Sequence, residues 1–128
     1  MKKEERLEEF RINLNKLANA GEGSFVVFDA CGKFVQFAGG KDLDGFVCDI
    51  PFTELSEAER MRLLKFTEFS QDEGARDADS GEQTSYTTEF DLVDIDKAVQ
   101  LTEQIFVEVF WLPQDYEVKT ELNLEGDN

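Results

Sequence analysis

The sequence predicts an α+β fold in which helices pack against an antiparallel sheet. Amphipathic segments at helical spacing predict helices, and short β-branched and aromatic runs bounded by glycines predict strands. The order along the chain is helix, three strands, helix, one strand, helix and a final edge strand, which is too irregular for a parallel α/β sheet. The 128 residues fit one domain, with an ordered core over about 5–124 and a frayed end at 125–128.

The first helix spans residues 2–20 and is followed by a three-stranded meander. Apolar residues recur at helical spacing on one face of this helix, while lysine, arginine and glutamate fill the other. These apolar residues are Leu7, Phe10, Leu14 and Leu17. The strands are expected at 24–30, 33–38 and 46–50, and their connections are too short for parallel pairing.

A second helix is expected at 57–66, after Pro51 stops the third strand. Ser56 and Glu59 have the spacing of a capping box, which predicts where this helix begins. Its core-facing residues are expected to be Met61, Leu64 and Leu63. The polar stretch 70–84 that follows has no hydrophobic period and predicts an exposed loop.

The last third of the chain predicts a strand, an apolar helix and an edge strand. Residues 85–93 alternate between apolar and polar, and Asp94 or Asp96 is expected to cap the helix that runs to about 110. The apolar side of that strand comprises Tyr86, Thr88, Phe90 and Leu92. Beyond Pro113 the residues alternate again, which predicts an edge strand or a docked extended arm.

The formal net charge of −16 constrains the partners and the location. Such a chain is repelled by nucleic-acid phosphates and anionic membranes, so direct binding to either is not expected. The chain has neither an apolar run long enough to span a bilayer nor an N-terminal apolar stretch typical of a signal peptide. We therefore expect a cytoplasmic protein in which Cys31 and Cys48 are reduced.

The sequence contains little that indicates catalysis, a cofactor or a metal site. It has no histidine, which removes the commonest general base and metal ligand. The glycine pair before Lys41 lacks the rest of a phosphate-binding motif, and 77–88 fails the calcium-loop pattern at three positions. Asp42, Asp44 and Asp49 could approach one another, but nothing places them in an apolar pocket. We expect no enzymatic activity.

Residues 34–39, Phe-Val-Gln-Phe-Ala-Gly, with the glycine loop, third strand and short Leu-rich helix that follow, resemble the TY-Chap family. These are TerY-associated chaperone-like domains, related in fold to type III secretion chaperones and YbjN-like proteins. The resemblance spans most of residues 5–124 and implies an α/β sandwich with a helix on each flank. The secretion-chaperone relatives are often homodimers, and they hold client segments in extended form on hydrophobic surface patches. In that family the short helix commonly ends in a Leu-Gly-Trp-like segment. The corresponding residues 65–69 read Lys-Phe-Thr-Glu-Phe, where Phe69 could fill the aromatic position but the glycine is absent.

Two functional hypotheses follow. The first is a chaperone-like or adaptor domain that binds a protein client through exposed apolar side chains. Its candidate anchors are Phe106, Phe110, Trp111 and Tyr116. The second is an acidic inhibitor or nucleic-acid mimic that occupies a basic groove of a partner, for which the loop 70–84 and the tail 115–127 are the candidates.

Overall fold

A computed structural model describes residues 1–20, 23–39, 45–66, 69 and 76–124. Three α-helices and a five-stranded antiparallel sheet are found there, which confirms the α+β class. The helices are α1 (Lys3–Ala20), α2 (Glu57–Leu63) and α3 (Ile95–Gln104). The strands are β1 (Phe25–Ala30), β2 (Lys33–Gly39), β3 (Gly45–Pro51), β4 (Ser85–Asp91) and β5 (Lys119–Asn123).

The sheet has the strand order β4-β3-β2-β1-β5, and every neighbouring pair is antiparallel. β1 and β2 are joined by a two-residue turn in which Cys31 (φ 54°) and Gly32 (φ 81°) both have positive φ, as a type I′ turn requires. β4 and β5 form the two edges, so the C-terminal strand lies beside the first strand of the meander.

One face of the sheet, the inner face, is covered by α1 and α3. Alternation along the strands points Val26, Phe28, Val35 and Phe37 to this face, and all four are fully buried. The Phe10 ring of α1 lies 4.8 Å from the Phe28 ring, centroid to centroid, in an edge-to-face arrangement. The inner face and its helices therefore form the core.

Local sequence explains where α2 begins. The Ser56 side chain accepts from the Glu59 backbone N–H, and the Glu59 side chain accepts from the Ser56 N–H, so the predicted capping box is confirmed. Leu63 is buried, but Met61 is 63% exposed, so the prediction that Met61 faces the core was wrong. The buried stripe of this short helix is Glu59 and Leu63, four residues apart.

The third helix departs from its prediction at both ends. Asp94 is the N-cap residue, but its side chain makes no capping hydrogen bond. The helix also changes from α to π geometry over Ile105–Val109, with the Phe110 N–H bonded to the Ile105 carbonyl. Single π turns of this kind are frequent at functional sites.

Several predicted features lie outside the described residues: the glycine loop through Lys41, Asp42 and Asp44, the segment 70–75 and the end 125–128. The same holds for the Leu92 side chain. In the described part of the predicted loop, Arg76 bridges to Gln83, and the residues between them are exposed. No helix in the described ranges is both long and apolar enough to cross a membrane.

Candidate functional site

The four predicted anchor residues are divided between core and surface. Phe106, Phe110 and Tyr116 are at most 7% exposed, whereas Trp111 is 70% exposed. The Phe106 ring lies 6.1 Å from the Phe110 ring and 5.2 Å from the Tyr116 ring, centroid to centroid. Of the four predicted anchors, Trp111 is therefore the one presented to solvent, because in this conformation Phe106, Phe110 and Tyr116 pack against one another in the core.

Trp111 is held at the end of the π turn by an unusual backbone conformation. Its φ is 57°, in the left-handed region that glycine usually occupies at a helix C-terminus. The Leu112 N–H donates to the Phe106 carbonyl at 3.0 Å, which closes the chain around Trp111. The backbone thus turns the indole outward, although a large side chain in this region is strained.

Arg62 of α2 fixes the orientation of that indole. Its Nε and Nη2 donate to the Val109 carbonyl at 2.9 Å and 2.6 Å, and its guanidinium carbon lies 3.9 Å from the centroid of the Trp111 ring. A guanidinium over an indole face is a favourable cation–π arrangement. Among the described residues, Arg62 has no carboxylate partner within 4.0 Å. We call Trp111 together with Arg62 the Trp111 anchor.

The Trp111 anchor depends on the position of α2. Lys33 of β2 contacts Glu59 at 3.4 Å, and its ammonium lies 5.5 Å from the Phe110 ring centroid. Burial raises the pKa of Glu59, but the hydrogen bonds from Ser56 and the charge of Lys33 lower it by more, so its pKa is below the ordinary value. Glu59 therefore remains ionised and ties α2 to the sheet.

A second cluster, which we call the Arg6 cluster, is buried between α1, α3 and the segment before β5. The guanidinium of Arg6 donates to both carboxylate oxygens of Glu103, at 3.1 Å and 2.6 Å, and both residues are at most 5% exposed. It also donates to the carbonyls of Met1 (2.8 Å) and Tyr116 (3.2 Å). The Tyr116 hydroxyl donates to Glu103 at 3.2 Å.

The Arg6 cluster borders a pocket of about 260 Å³. The pocket is lined by Lys3, Arg6, Glu103, Gln104, Val107, Glu108 and Gln114. Burial and the nearby Glu103 charge raise the pKa of the Tyr116 hydroxyl well above its ordinary value, so it stays a donor. Arg6 and Glu103 satisfy each other, which makes the cluster a structural clamp.

The other chemistry considered from the sequence can be placed only in part. Asp77 Oδ1 accepts from the backbone N–H groups of Asp79 (2.8 Å) and Ser80 (3.0 Å), so this carboxylate stabilises its own turn. In the described ranges, no group of three or more acidic or cysteine side chains could hold a metal ion. Cys31 is exposed and Cys48 is buried, and neither forms a disulfide.

Arg62 and the Arg6 cluster were missed by sequence reasoning. Arg6 was grouped with the charged face of the first helix, and its partners lie 97 and 110 residues further along. No local pattern reports such a pairing. Arg62 follows Met61, which is exposed. Nothing in the sequence of α2 indicates that Arg62 stacks on Trp111, which lies beyond α3.

Comparison with known proteins adds no relative: no protein-family model, curated protein or solved structure matches this chain. The resemblance to the TY-Chap family thus stays a prediction.

Proposed function

We propose that this chain is a non-catalytic protein-binding domain of the adaptor or chaperone-like kind, which meets its partner at the Trp111 anchor. The observation that carries the proposal is a single tryptophan, 70% exposed, kept in a strained backbone conformation and stacked under Arg62. Tryptophan and arginine are the residues most enriched at energetic centres of protein interfaces. Because Arg62 already holds the Trp111 side chain in one orientation, binding has less side-chain entropy to remove.

The position of Trp111 gives a further reason for a role outside the fold. Glycine would fit φ 57° without strain, and the exposed indole contributes little to the core. The local backbone is therefore better served by a residue other than tryptophan. Strained residues of this kind often occur where a side chain is held for binding.

The alternative of an acidic mimic is less supported by the arrangement of charge. Glu89 and Asp91 lie on β4, at one edge of the sheet, and Glu121 lies on β5, at the opposite edge. A mimic of a duplex needs carboxylates in rows on one face, matched to a basic groove. These carboxylates lie on the same face of the sheet, but the apolar residues Phe25, Ala38 and Val47 separate those of one edge from those of the other, which favours a partner bound through an aromatic anchor, with the charge supporting solubility.

The fold is compatible with the sandwich that the TY-Chap resemblance implies, since helices cover an antiparallel sheet. Client binding in such a domain needs apolar surface that the core does not use. The Trp111 anchor supplies it at the end of the π turn. We propose the chaperone-like reading on this basis, with the client's identity left to experiment.

The test replaces Trp111 by glycine and compares the partners captured from the native host. Trp111→Gly removes the anchor and relieves the positive φ, so the free energy of unfolding should stay within about 1 kcal/mol of the wild-type value. Captured proteins should be lost with this variant and retained with Val93→Ala, which trims a valine that is 88% exposed elsewhere. Retention at moderate salt is expected, because an apolar contact is not screened.

The indole also allows a direct readout. Trp111 is the only tryptophan of the chain, so its emission reports this site alone. A purified tryptophan-free partner should shift the emission to shorter wavelength and protect the ring from acrylamide. The Trp111 anchor would be refuted if wild type and Trp111→Gly captured the same proteins and if the partner left the tryptophan emission of the wild type unchanged.

A further inference from the structure

The face of the sheet opposite the helices, the outer face, carries apolar side chains that are only half-buried. Phe25, Ala38 and Val47 are direct neighbours across β1, β2 and β3, and Val27 follows Phe25 on the same face. All four are partly exposed, whereas their inner-face neighbours Val26 and Phe37 are fully buried. We call these four residues the outer strip.

Carboxylates flank the outer strip on both sides. Glu89 of β4 pairs with Val47, and Glu121 of β5 pairs with Val27. These two carboxylates are separated by four strand spacings, or roughly 19 Å. Asp49 follows Val47 on the same face, between Gln36 and Thr87. An apolar centre with negative charge at both ends is complementary to a segment that is apolar in the middle and basic at its ends.

Asp49 gives an independent indication. Its Oδ1 is buried and accepts no hydrogen bond from the described part of the chain. A buried carboxylate oxygen without a donor is costly, because it has lost water and gained nothing in return. Asp49 as a residue is only half-buried on the outer face, so a lysine or arginine of a partner would meet its carboxylate at the surface, and a small rotation of the side chain would give Oδ1 the donor it lacks.

We propose that the outer strip, with Asp49, Glu89 and Glu121, is a docking surface for a basic amphipathic helix of another protein. A sheet normally buries an apolar face against a further layer, and a helix is the usual layer on a sheet. A helix of about 13 residues covers the roughly 19 Å between the flanking carboxylates. A second copy of this chain would bring the same carboxylates together, and a nucleic acid would bring phosphates; both are repelled.

This surface is separate from the Trp111 anchor, because Trp111 follows α3 and α3 packs on the inner face. The domain would then have two separate binding surfaces. The proposal of the Trp111 anchor and that of the outer strip can fail independently, since the emission of Trp111 reports binding at the anchor and not at the outer strip.

The probe is a synthetic 15-residue helical peptide with leucines on one face and lysines at both ends. One control peptide replaces leucine by serine at equal charge, and another replaces lysine by glutamate at an equal apolar face. The probe peptide should change the amide chemical shifts of the full ¹⁵N-labelled chain mainly in β1, β2 and β3. Neither control peptide should produce this pattern. The emission of Trp111 should not change.

Two variants sharpen the test. Val47→Lys places a cation in the centre of the outer strip and should weaken binding of the probe peptide about tenfold or more. Val93→Lys makes the same change of charge elsewhere and should leave that binding unchanged. The double variant Asp49→Lys and Glu89→Lys should prefer the glutamate peptide. Both positions are partly exposed or exposed, and thermal unfolding checks that the fold persists.

Three outcomes would overturn the docking surface. The serine peptide could bind as well as the probe, which would mean that charge alone attracts it. Shifts could spread over the whole acidic surface. The chain could dimerise through this face at rising concentration, with Val47→Lys abolishing the dimer, which would identify a second copy as the occupant.

Discussion

Two of the arginines that stack on aromatic rings, Arg6 and Arg62, do so at nearly the same distance, yet their surroundings are opposite. The Arg6 guanidinium lies 4.0 Å from the Tyr116 ring centroid, and that of Arg62 lies 3.9 Å from the Trp111 centroid. Tyr116 is 3% exposed and Trp111 is 70% exposed. Arg6 is neutralised by Glu103, whereas Arg62 bonds only to a carbonyl among the described contacts. The same pairing thus joins elements in one place and presents a ring to solvent in the other.

The largest effect is expected from breaking the buried pair. Glu103→Leu leaves the Arg6 charge buried without a counterion and should lower the free energy of unfolding by about 3–5 kcal/mol. The double variant Arg6→Met and Glu103→Leu removes both charges and should recover most of that loss. Urea unfolding followed by circular dichroism measures both, and a double variant no more stable than Glu103→Leu would contradict a neutralised clamp.

The exposed pair should respond less. Arg62→Met removes two hydrogen bonds to the Val109 carbonyl and the stacking on Trp111, for an expected loss of about 1–2 kcal/mol. Freed of the guanidinium, Trp111 should become more accessible to acrylamide. If the loss in urea unfolding equalled that of Glu103→Leu, the contrast between the two arginines would not hold.

The smallest effect concerns the pH dependence of the contact that positions α2. The folded-state pKa of Glu59 is below its ordinary value of 4.5, so its stabilisation is present above about pH 4.5 and is lost as the pH falls through the lower folded value. Glu59→Gln keeps an acceptor for Ser56 without the charge. The difference in unfolding free energy between the two proteins should be under about 1 kcal/mol at pH 7 and should shrink by pH 3. If the difference in unfolding free energy between wild type and Glu59→Gln grew as the pH fell, the pKa of Glu59 in the folded state would not be lowered.

The elements were predictable where local chemistry decides them. Ser56 and Glu59 marked the start of α2, and the short connection between the strands expected at 24–30 and 33–38 marked an antiparallel pair, since both features act over a few residues. Exposure was harder to predict. Phe106 and Trp111 have similar chemistry in the sequence, and only the π turn and the left-handed residue after it send one inward and the other outward.

The candidate sites were less accessible to sequence reasoning for the same reason. The outer strip required the register of β1 against β2 and β3, which decides whether Ala38 and Val47 share a face. The apolar run 25–28 was visible, but a continuous run does not by itself say that its second face is only half-buried.

The place of β5 beside β1 has a consequence for how the chain is made. Val26 pairs with Leu122, and Arg6 meets Glu103 and Tyr116, 97 and 110 residues further along. While the ribosome is still synthesising the middle of the protein, β1 lacks its β5 neighbour and Arg6 lacks Glu103. These long-range closures favour folding on the order of milliseconds or slower. The nascent chain must therefore remain soluble before it is complete, a task for which its abundant negative charge is well suited.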